Sequence, residues 1–155
     1  MSGGGEGVTV HEGGCLCGAL RFLVAGDPVA VSICHCENCR KNSGSAFSVN
    51  AIFAGRVLEL AGTPAVYEDV GETGNVVRRL FCGRCGTPIE SQSVYSVPGY
   101  TVIKAGAFDD PARFVPDSEV YCGQALPWVL QGGERARYDR VNTDSIAEPL
   151  PRAEG

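Results

Sequence analysis

Three cysteines lie within six residues in the segment Cys34-His35-Cys36-Glu37-Asn38-Cys39. Thiolates this close together repel one another unless a cation lies between them, so such a cluster is typical of a metal site. Two further pairs flank it, Cys15 and Cys17 upstream and Cys82 and Cys85 downstream. We expect the rest of the chain to bring these three groups together.

The two outer pairs share features of a structural zinc site. The run Cys82-Gly83-Arg84-Cys85-Gly86 has the spacing of a zinc knuckle, and its last glycine allows a positive φ that turns amide N–H groups toward sulfur. Gly18 follows Cys17 in the same way. Each pair supplies two ligands and a closed structural zinc needs four. We therefore predict one tetrahedral zinc site on Cys15, Cys17, Cys82 and Cys85, whose binding offsets the loop-closure entropy.

That assignment leaves Cys34, Cys36 and Cys39 as a trio. Three protein ligands with one open position is the arrangement of a catalytic zinc, and the position would accept water, a substrate thiolate or a carbonyl oxygen. Arg40 and Lys41 follow directly, and their charge would stabilise a thiolate or attract an anionic ligand. The alternative is that both clusters are structural zinc sites in a domain whose function lies elsewhere.

Three other residues could take part in the chemistry. In an extended Cys-x-Cys segment alternate side chains face opposite ways, so His35 should point away from a metal bound by its neighbours. We expect Cys122 to be a small buried hydrophobe beside Tyr121, with a fourth metal ligand or a reactive thiol as the alternatives. His11 is expected to be structural or solvated.

Short runs rich in β-branched and apolar residues alternate with glycine and proline turns and predict many strands. The predicted strands are 8–12, 18–25, 29–33, 46–53, 56–60, 65–68, 76–81, 87–92, 100–107 and a last one at 119–122, with one or two helical turns over 36–42. The first two form a hairpin with Cys15 and Cys17 at its turn. The pattern predicts a mainly β domain of short antiparallel strands with one short helix or knuckle.

The 155 residues are the size of one domain, and we predict a flexible tail at 1–7, the domain at 8–138 and a loose tail at 139–155. A formal net charge of −5 disfavours a nucleic-acid partner. No apolar run reaches the roughly 18 residues of a membrane span, and residues 1–7 lack the features of a signal peptide. We therefore expect a cytoplasmic protein whose cysteines bind metal, with no membrane partner. The oligomeric state is not indicated.

The order Cys-x-Cys, Cys-x-Cys-x-x-Cys, Cys-x-x-Cys resembles the glutathione-dependent formaldehyde-activating enzyme family, which includes the centromere protein V group. The likeness runs through residues 14–22, 34–41 and 81–87 and a late Pro127-Trp128. The resemblance implies a β-tent fold with a structural zinc on the four outer cysteines. It also implies that the trio binds the second zinc, the one implicated in activity.

The resemblance further implies a carbon–sulfur lyase that condenses glutathione with formaldehyde, or a related aldehyde, to S-hydroxymethylglutathione. The predicted catalytic residues are then the trio and Arg40. Arg40 and Lys41 are candidates for binding the carboxylates of glutathione or stabilising developing charge, with solvated surface charges as the alternative. Two other functions stay open, a non-catalytic zinc scaffold or interaction domain, and a thiol reductase of the methionine sulfoxide type with Cys122 as nucleophile.

Overall fold

The computed structural model describes residues 8–54, 57–71, 74–93, 100–129 and 135–139. The tail predicted at 1–7, and all but Asp139 of the tail predicted at 139–155, lie outside the described residues. The strands are β1 Val10–Gly14, β2 Arg21–Ala25, β3 Ala30–Cys34, β4 Ser48–Ala54, β5 Val57–Ala61, β6 Ala65–Val70, β7 Val76–Phe81, β8 Pro88–Ser93, β9 Tyr100–Lys104, β10 Ser118–Val120 and β11 Ala136–Arg137. One α-helix, α1, runs over Glu37–Ser43, and short 3₁₀ turns cover Ala105–Ala107, Pro111–Arg113 and Cys122–Gln124.

The strands form two sheets. The smaller has the order β1-β2-β5, and the larger has the order β11-β10-β3-β4-β9-β8-β7-β6. The prediction of a mainly β domain with one short helix is confirmed. Most pairs are antiparallel, but β10 pairs in parallel with both β3 and β11. Within the described residues, no helix is long and apolar enough to cross a membrane.

Apolar side chains from both sheets and from the turns after β9 form the main core. Phe22 and Val24 of β2 meet Phe53 of β4 and Ile103 of β9, all almost fully buried. Phe108 packs edge-on against Phe22, with ring centroids 5.2 Å apart. Burial of this apolar area is the main force that holds the two sheets together.

Several strand predictions are wrong at their ends; the strand predicted over 18–25, for example, begins only at Arg21. The run predicted as strand over 100–107 leaves the sheet after Lys104, and Ala105–Ala107 forms a 3₁₀ turn. The last strand was predicted at 119–122, but β10 ends at Val120 and Cys122 starts another 3₁₀ turn. Tyr121 separates them in the left-handed region, with φ 55°, which ends the extended backbone. The small strand β11 then follows β10 in the sheet.

The larger sheet has one apolar and one polar face. Register pairs place Cys34 of β3 opposite Ser48 of β4, and Asn50 of β4 opposite Lys104 of β9. Because alternate residues share a face, these four side chains lie on the same side of the sheet. The opposite side carries Ala51 and its neighbours in the core. The polar face is therefore where the trio meets the rest of the sheet.

Candidate metal centres and the polar face beside them

Two turns bring the four outer cysteines together. The turn between β1 and β2 carries Cys15 and Cys17, and the turn between β7 and β8 carries Cys82 and Cys85. The Sγ atoms of Cys15 and Cys17 lie 3.6 Å apart, those of Cys17 and Cys82 lie 3.7 Å apart, and all four sulfurs lie within 4.8 Å of one another. A tetrahedron with Zn–S bonds of about 2.3 Å has edges of about 3.8 Å. The four-cysteine cluster therefore has the dimensions of a zinc site.

Backbone N–H groups surround these sulfurs as the glycine positions predicted. Leu20 donates its N–H to Cys15 Sγ at 3.2 Å, and Arg84 donates to Cys82 Sγ at 3.4 Å. Gly18 and Gly86 both have φ 82°, the conformation that turns the chain back. Hydrogen bonds from the side chain and backbone of Thr87 lower the pKa of Cys85 to about 5. The cluster thus stabilises a thiolate at Cys85.

The trio is built by the junction of β3 with α1. Cys34 ends β3, and Cys36 is the N-cap of the helix, with its Sγ accepting the N–H of Cys39 at 3.3 Å. The first helical turn returns Cys39 to the other two, and the three sulfurs lie within 4.8 Å of one another. All three side chains are buried, and Tyr121 packs against them. The structure therefore brings together the three residues that the sequence predicted as the second site.

The three thiols of the trio differ in their tendency to ionise. Hydrogen bonding with Cys36 and Cys39, together with burial, raises the pKa of Cys34. Hydrogen bonds from Cys34 and Cys36, and attraction by Lys104 and Arg79, lower the pKa of Cys39 to about 2. Proximity thus favours one thiolate at the expense of its neighbours, and loss of all three protons requires a bound cation. A set of three soft sulfur donors suits zinc.

Neither residue considered as a fourth ligand completes the trio. His35 faces the other side of β3, as predicted, and its Nε2 donates to Glu119 Oε1 at 2.9 Å. Cys122 lies with His35 and Glu119 in a separate group, and Arg135 Nε donates to Glu119 Oε2 at 3.1 Å. Among the described histidine, cysteine and acidic side chains, none lies within 4.8 Å of all three trio sulfurs.

The environment of Cys122 raises the pKa of its thiol, although Arg137 acts in the opposite direction. The residue is half-buried, so it is less buried than the small buried hydrophobe that the sequence predicts. Burial and the nearby Glu119 carboxylate raise the pKa of its thiol. Because the thiolate is the nucleophilic form, this environment opposes a reductase in which Cys122 attacks the substrate.

Two cations that sequence reasoning missed lie close to the trio. Lys104 is 6% exposed, and its Nζ donates to Ser48 Oγ and Asn50 Oδ1, both at 3.0 Å. Burial lowers the pKa of Lys104, and attraction by Cys39 opposes that shift. The sequence signal that could have identified Lys104 is its position in a largely apolar predicted strand. A lysine that is buried in such a strand usually has a specific partner.

Arg79 is the second missed cation and has a carboxylate partner. The residue is 5% exposed, and its Nε donates to Asp69 Oδ2 at 2.8 Å. Asn38 of α1 donates to the same Asp69 oxygen at 2.8 Å and to the Val70 carbonyl at 2.9 Å. These bonds fix the helix that carries Cys39 to strand β6 across the polar face.

The structure separates the two cations that the sequence singled out. Lys41 is exposed, pairs with Glu37 at 3.3 Å, and lines a cavity of about 470 Å³ between α1 and strands β6 and β7. Arg40 is half-buried and is not among the described residues that line this cavity. Their roles as binding or catalytic residues stay predictions.

Fold and sites together define a mainly β domain with two cysteine clusters that could each hold a metal ion. The chain belongs to the family described as glutathione-dependent formaldehyde-activating enzyme, whose model matches residues 10–124. A Halomonas elongata protein with the provisional name glutathione-dependent formaldehyde-activating enzyme is 30% identical over 83 residues. That match covers 50% of this chain and 53% of the relative, so the chain spans about half the length of this curated relative.

Proposed function

We propose that the protein is a zinc-dependent enzyme of the carbon–sulfur lyase type that joins a thiol, glutathione, to formaldehyde or a related aldehyde. The observation that carries the proposal is the contrast between the two clusters. One has four sulfurs within 4.8 Å of one another, and the other has three with no fourth histidine, cysteine or carboxylate among the described residues. Four ligands are typical of structural zinc and three of catalytic zinc. Membership of the family supports the choice of substrates.

Zinc would be held at the reacting centre by Cys34, Cys36 and Cys39. Bound there, it would supply Lewis-acid chemistry, lowering the pKa of an incoming thiol or polarising an aldehyde oxygen. The donor set fits this metal because all three ligands are sulfurs and are held in place by a strand end and an N-cap. The first zinc would be bound by the four outer cysteines.

The proposed reaction forms one carbon–sulfur bond. The thiol loses its proton, its sulfur attacks the carbonyl carbon, and the carbonyl π electrons move to the oxygen, which takes up a proton. Negative charge thus moves from sulfur to oxygen. Lys104 and Arg79 supply positive charge in a buried environment beside the trio, where it stabilises an anion more strongly than in water.

The side chains near the trio also suit a polar ligand. Ser32, on the same face of β3 as Cys34, has a buried hydroxyl with no hydrogen-bond partner among the described residues. An unpaired buried hydroxyl costs about 1–3 kcal/mol, which a ligand that bonds to it would recover. Arg40 and Lys41 on α1 are assigned the binding of a glutathione carboxylate, with Lys41 at the wall of a cavity.

The test is the rate of adduct formation between glutathione and ¹³C-formaldehyde, followed by NMR exchange spectroscopy because the two reactants also combine without an enzyme. The zinc-loaded protein should accelerate the exchange, and the Cys39→Ser variant should not. Cys122→Ser is the matched control, since it also removes one thiol but leaves the trio intact, and it should match the wild type. If wild-type protein with two zinc ions per chain gives no acceleration, the enzyme proposal is wrong and a zinc scaffold is favoured.

A further inference from the structure

A second cavity, of about 360 Å³, lies between the two cysteine clusters. On one side Ser48 contributes to its wall, and Ser48 is the register partner of Cys34. On the other side Thr87 contributes, and its hydroxyl lies 3.2 Å from Cys85 Sγ. The volume is within the range of about 300–1,000 Å³ that is common for small-molecule pockets. A ligand in this cavity would contact Ser48, the residue opposite Cys34 in the sheet.

Lys104 is the one charged side chain among the described residues that line this cavity. The others are small or apolar: Ser43, Ser45, Phe47, Val49, Pro88 and Ala107 are representative. The cavity therefore offers hydroxyl groups, apolar surface and a single positive charge.

The hydrogen bonds of Lys104 leave one donor free for a ligand. An ammonium group has three N–H donors, and two of them go to the neutral oxygens of Ser48 and Asn50. Among the described carboxylates none lies within 4.0 Å of Lys104. Arg79, the other deeply buried cation of this face, is paired with Asp69. Because a buried charge is costly unless an opposite charge compensates it, Lys104 is the cation best placed to receive an anionic ligand.

The 470 Å³ cavity on the other side of α1 is less suited to this purpose. Its cations already have partners, since Lys41 is bonded to Glu37 and Arg79 to Asp69. An anion that entered there would have to compete with existing ion pairs. The 360 Å³ cavity has no such competition among its described lining residues.

We infer that the cavity floored by Lys104 is a subsite for a carboxylate of the thiol substrate, which Lys104 binds through its free N–H donor. The inference rests on the proposed function, because it places a carboxylate-bearing arm beside the centre where the thiol reacts. Glutathione carries two carboxylates, so one can occupy this cavity while the other meets the cations of α1.

The experiment measures binding separately from the reaction. Isothermal titration calorimetry of the zinc-loaded protein uses S-methylglutathione, in which the sulfur is blocked but both carboxylates are present, and the diethyl ester of the same compound. The proteins are wild type, Lys104→Gln, and Arg78→Gln as a control that removes one exposed positive charge from the sheet. Zinc content and circular dichroism establish that each variant is folded.

Wild type should bind S-methylglutathione at least about tenfold more tightly than the ester, the difference expected for a charge-assisted hydrogen bond. Lys104→Gln should reduce that preference by about tenfold, since only the contribution of the carboxylate bound at Lys104 is removed, and Arg78→Gln should keep it in full. If wild type binds acid and ester equally, or if Lys104→Gln lowers only zinc content and leaves the affinity for S-methylglutathione unchanged, the subsite is refuted. Equal binding of the two ligands by wild type refutes the subsite even if Lys104→Gln does not fold.

The two proposals can fail separately. Binding of S-methylglutathione that depends on Lys104, without acceleration of adduct formation, would refute the lyase function and leave the subsite standing. Acceleration of adduct formation, with S-methylglutathione and its diethyl ester bound equally well, would refute the subsite and leave the lyase function standing.

Discussion

The four-cysteine cluster should contribute more to the stability of the domain than the trio, and two matched variants test this. In one, Cys82 and Cys85 are both replaced by serine; in the other, Cys36 and Cys39 are. Each variant removes two thiols from one cluster, and serine at position 36 is itself a good N-cap for α1. The difference in stability between the two variants therefore measures how much each cluster contributes to the stability of the domain.

The expected magnitudes follow from the length of chain that each cluster closes. The four-cysteine cluster joins Cys17 to Cys82, 65 residues apart, and so connects a turn of the smaller sheet to a turn of the larger one. The loop-closure expression used for disulfides gives about 4 kcal/mol for a cross-link of this span at 25 °C. The trio spans only Cys34 to Cys39, for which the same expression gives about 2 kcal/mol as an upper value, because short loops deviate from it.

Thermal unfolding followed by circular dichroism, with zinc per chain measured in the presence of a reductant, provides the test. For a domain of this size about 4 kcal/mol corresponds to a fall in Tm of about 10–15 °C, and about 2 kcal/mol to roughly half of that. Each variant should lose one zinc. Equal falls in Tm, or a larger fall for the Cys36 and Cys39 variant, would show that the assignment of structural and reacting centres is reversed or that neither cluster is specialised.

Three further predictions concern buried groups. Glu119→Gln weakens the bonds to both His35 and Arg135 and should lower the unfolding free energy by about 3 kcal/mol in urea titrations, with zinc lost from the trio first. Burial raises the pKa of Glu90, so the stability of the wild type should fall as the pH rises through that raised native value. The Glu90→Gln variant should therefore be more stable than the wild type at about pH 8, and this advantage should be smaller at about pH 5. Gly13→Ala would bring Cβ into a clash with the Ala107 carbonyl oxygen, and a loss of about 2–3 kcal/mol in the same titrations is expected; an unchanged midpoint would contradict the packing at this position.

The sequence was sufficient for the features that depend on residues close together in the chain. The glycines after Cys17 and Cys85 predicted the turns that direct N–H groups at sulfur, and both have the expected positive φ. The alternation of side chains in an extended segment placed His35 away from the trio, where Glu119 binds it. Counting ligands then divided seven cysteines into the two groups that the structure brings together. The glycine turns and the direction of His35 depend on interactions that span only a few residues, whereas the two outer pairs, 65 residues apart, were joined by counting ligands.

Only the tertiary structure decided which distant side chains surround the trio. Lys104 lies in a predicted strand, but its place beside Ser48 and Cys34 depends on the register of β4 with both β9 and β3. A shift of one residue in that register would turn Lys104 to the opposite face of the sheet, and no local pattern fixes such a pairing. The parallel contact of β10 with β3, which brings Glu119 to His35, is equally non-local. The chain therefore specifies each cysteine pair and the trio locally, whereas the meeting of the two outer pairs and the charges around the trio depend on how the strands pair.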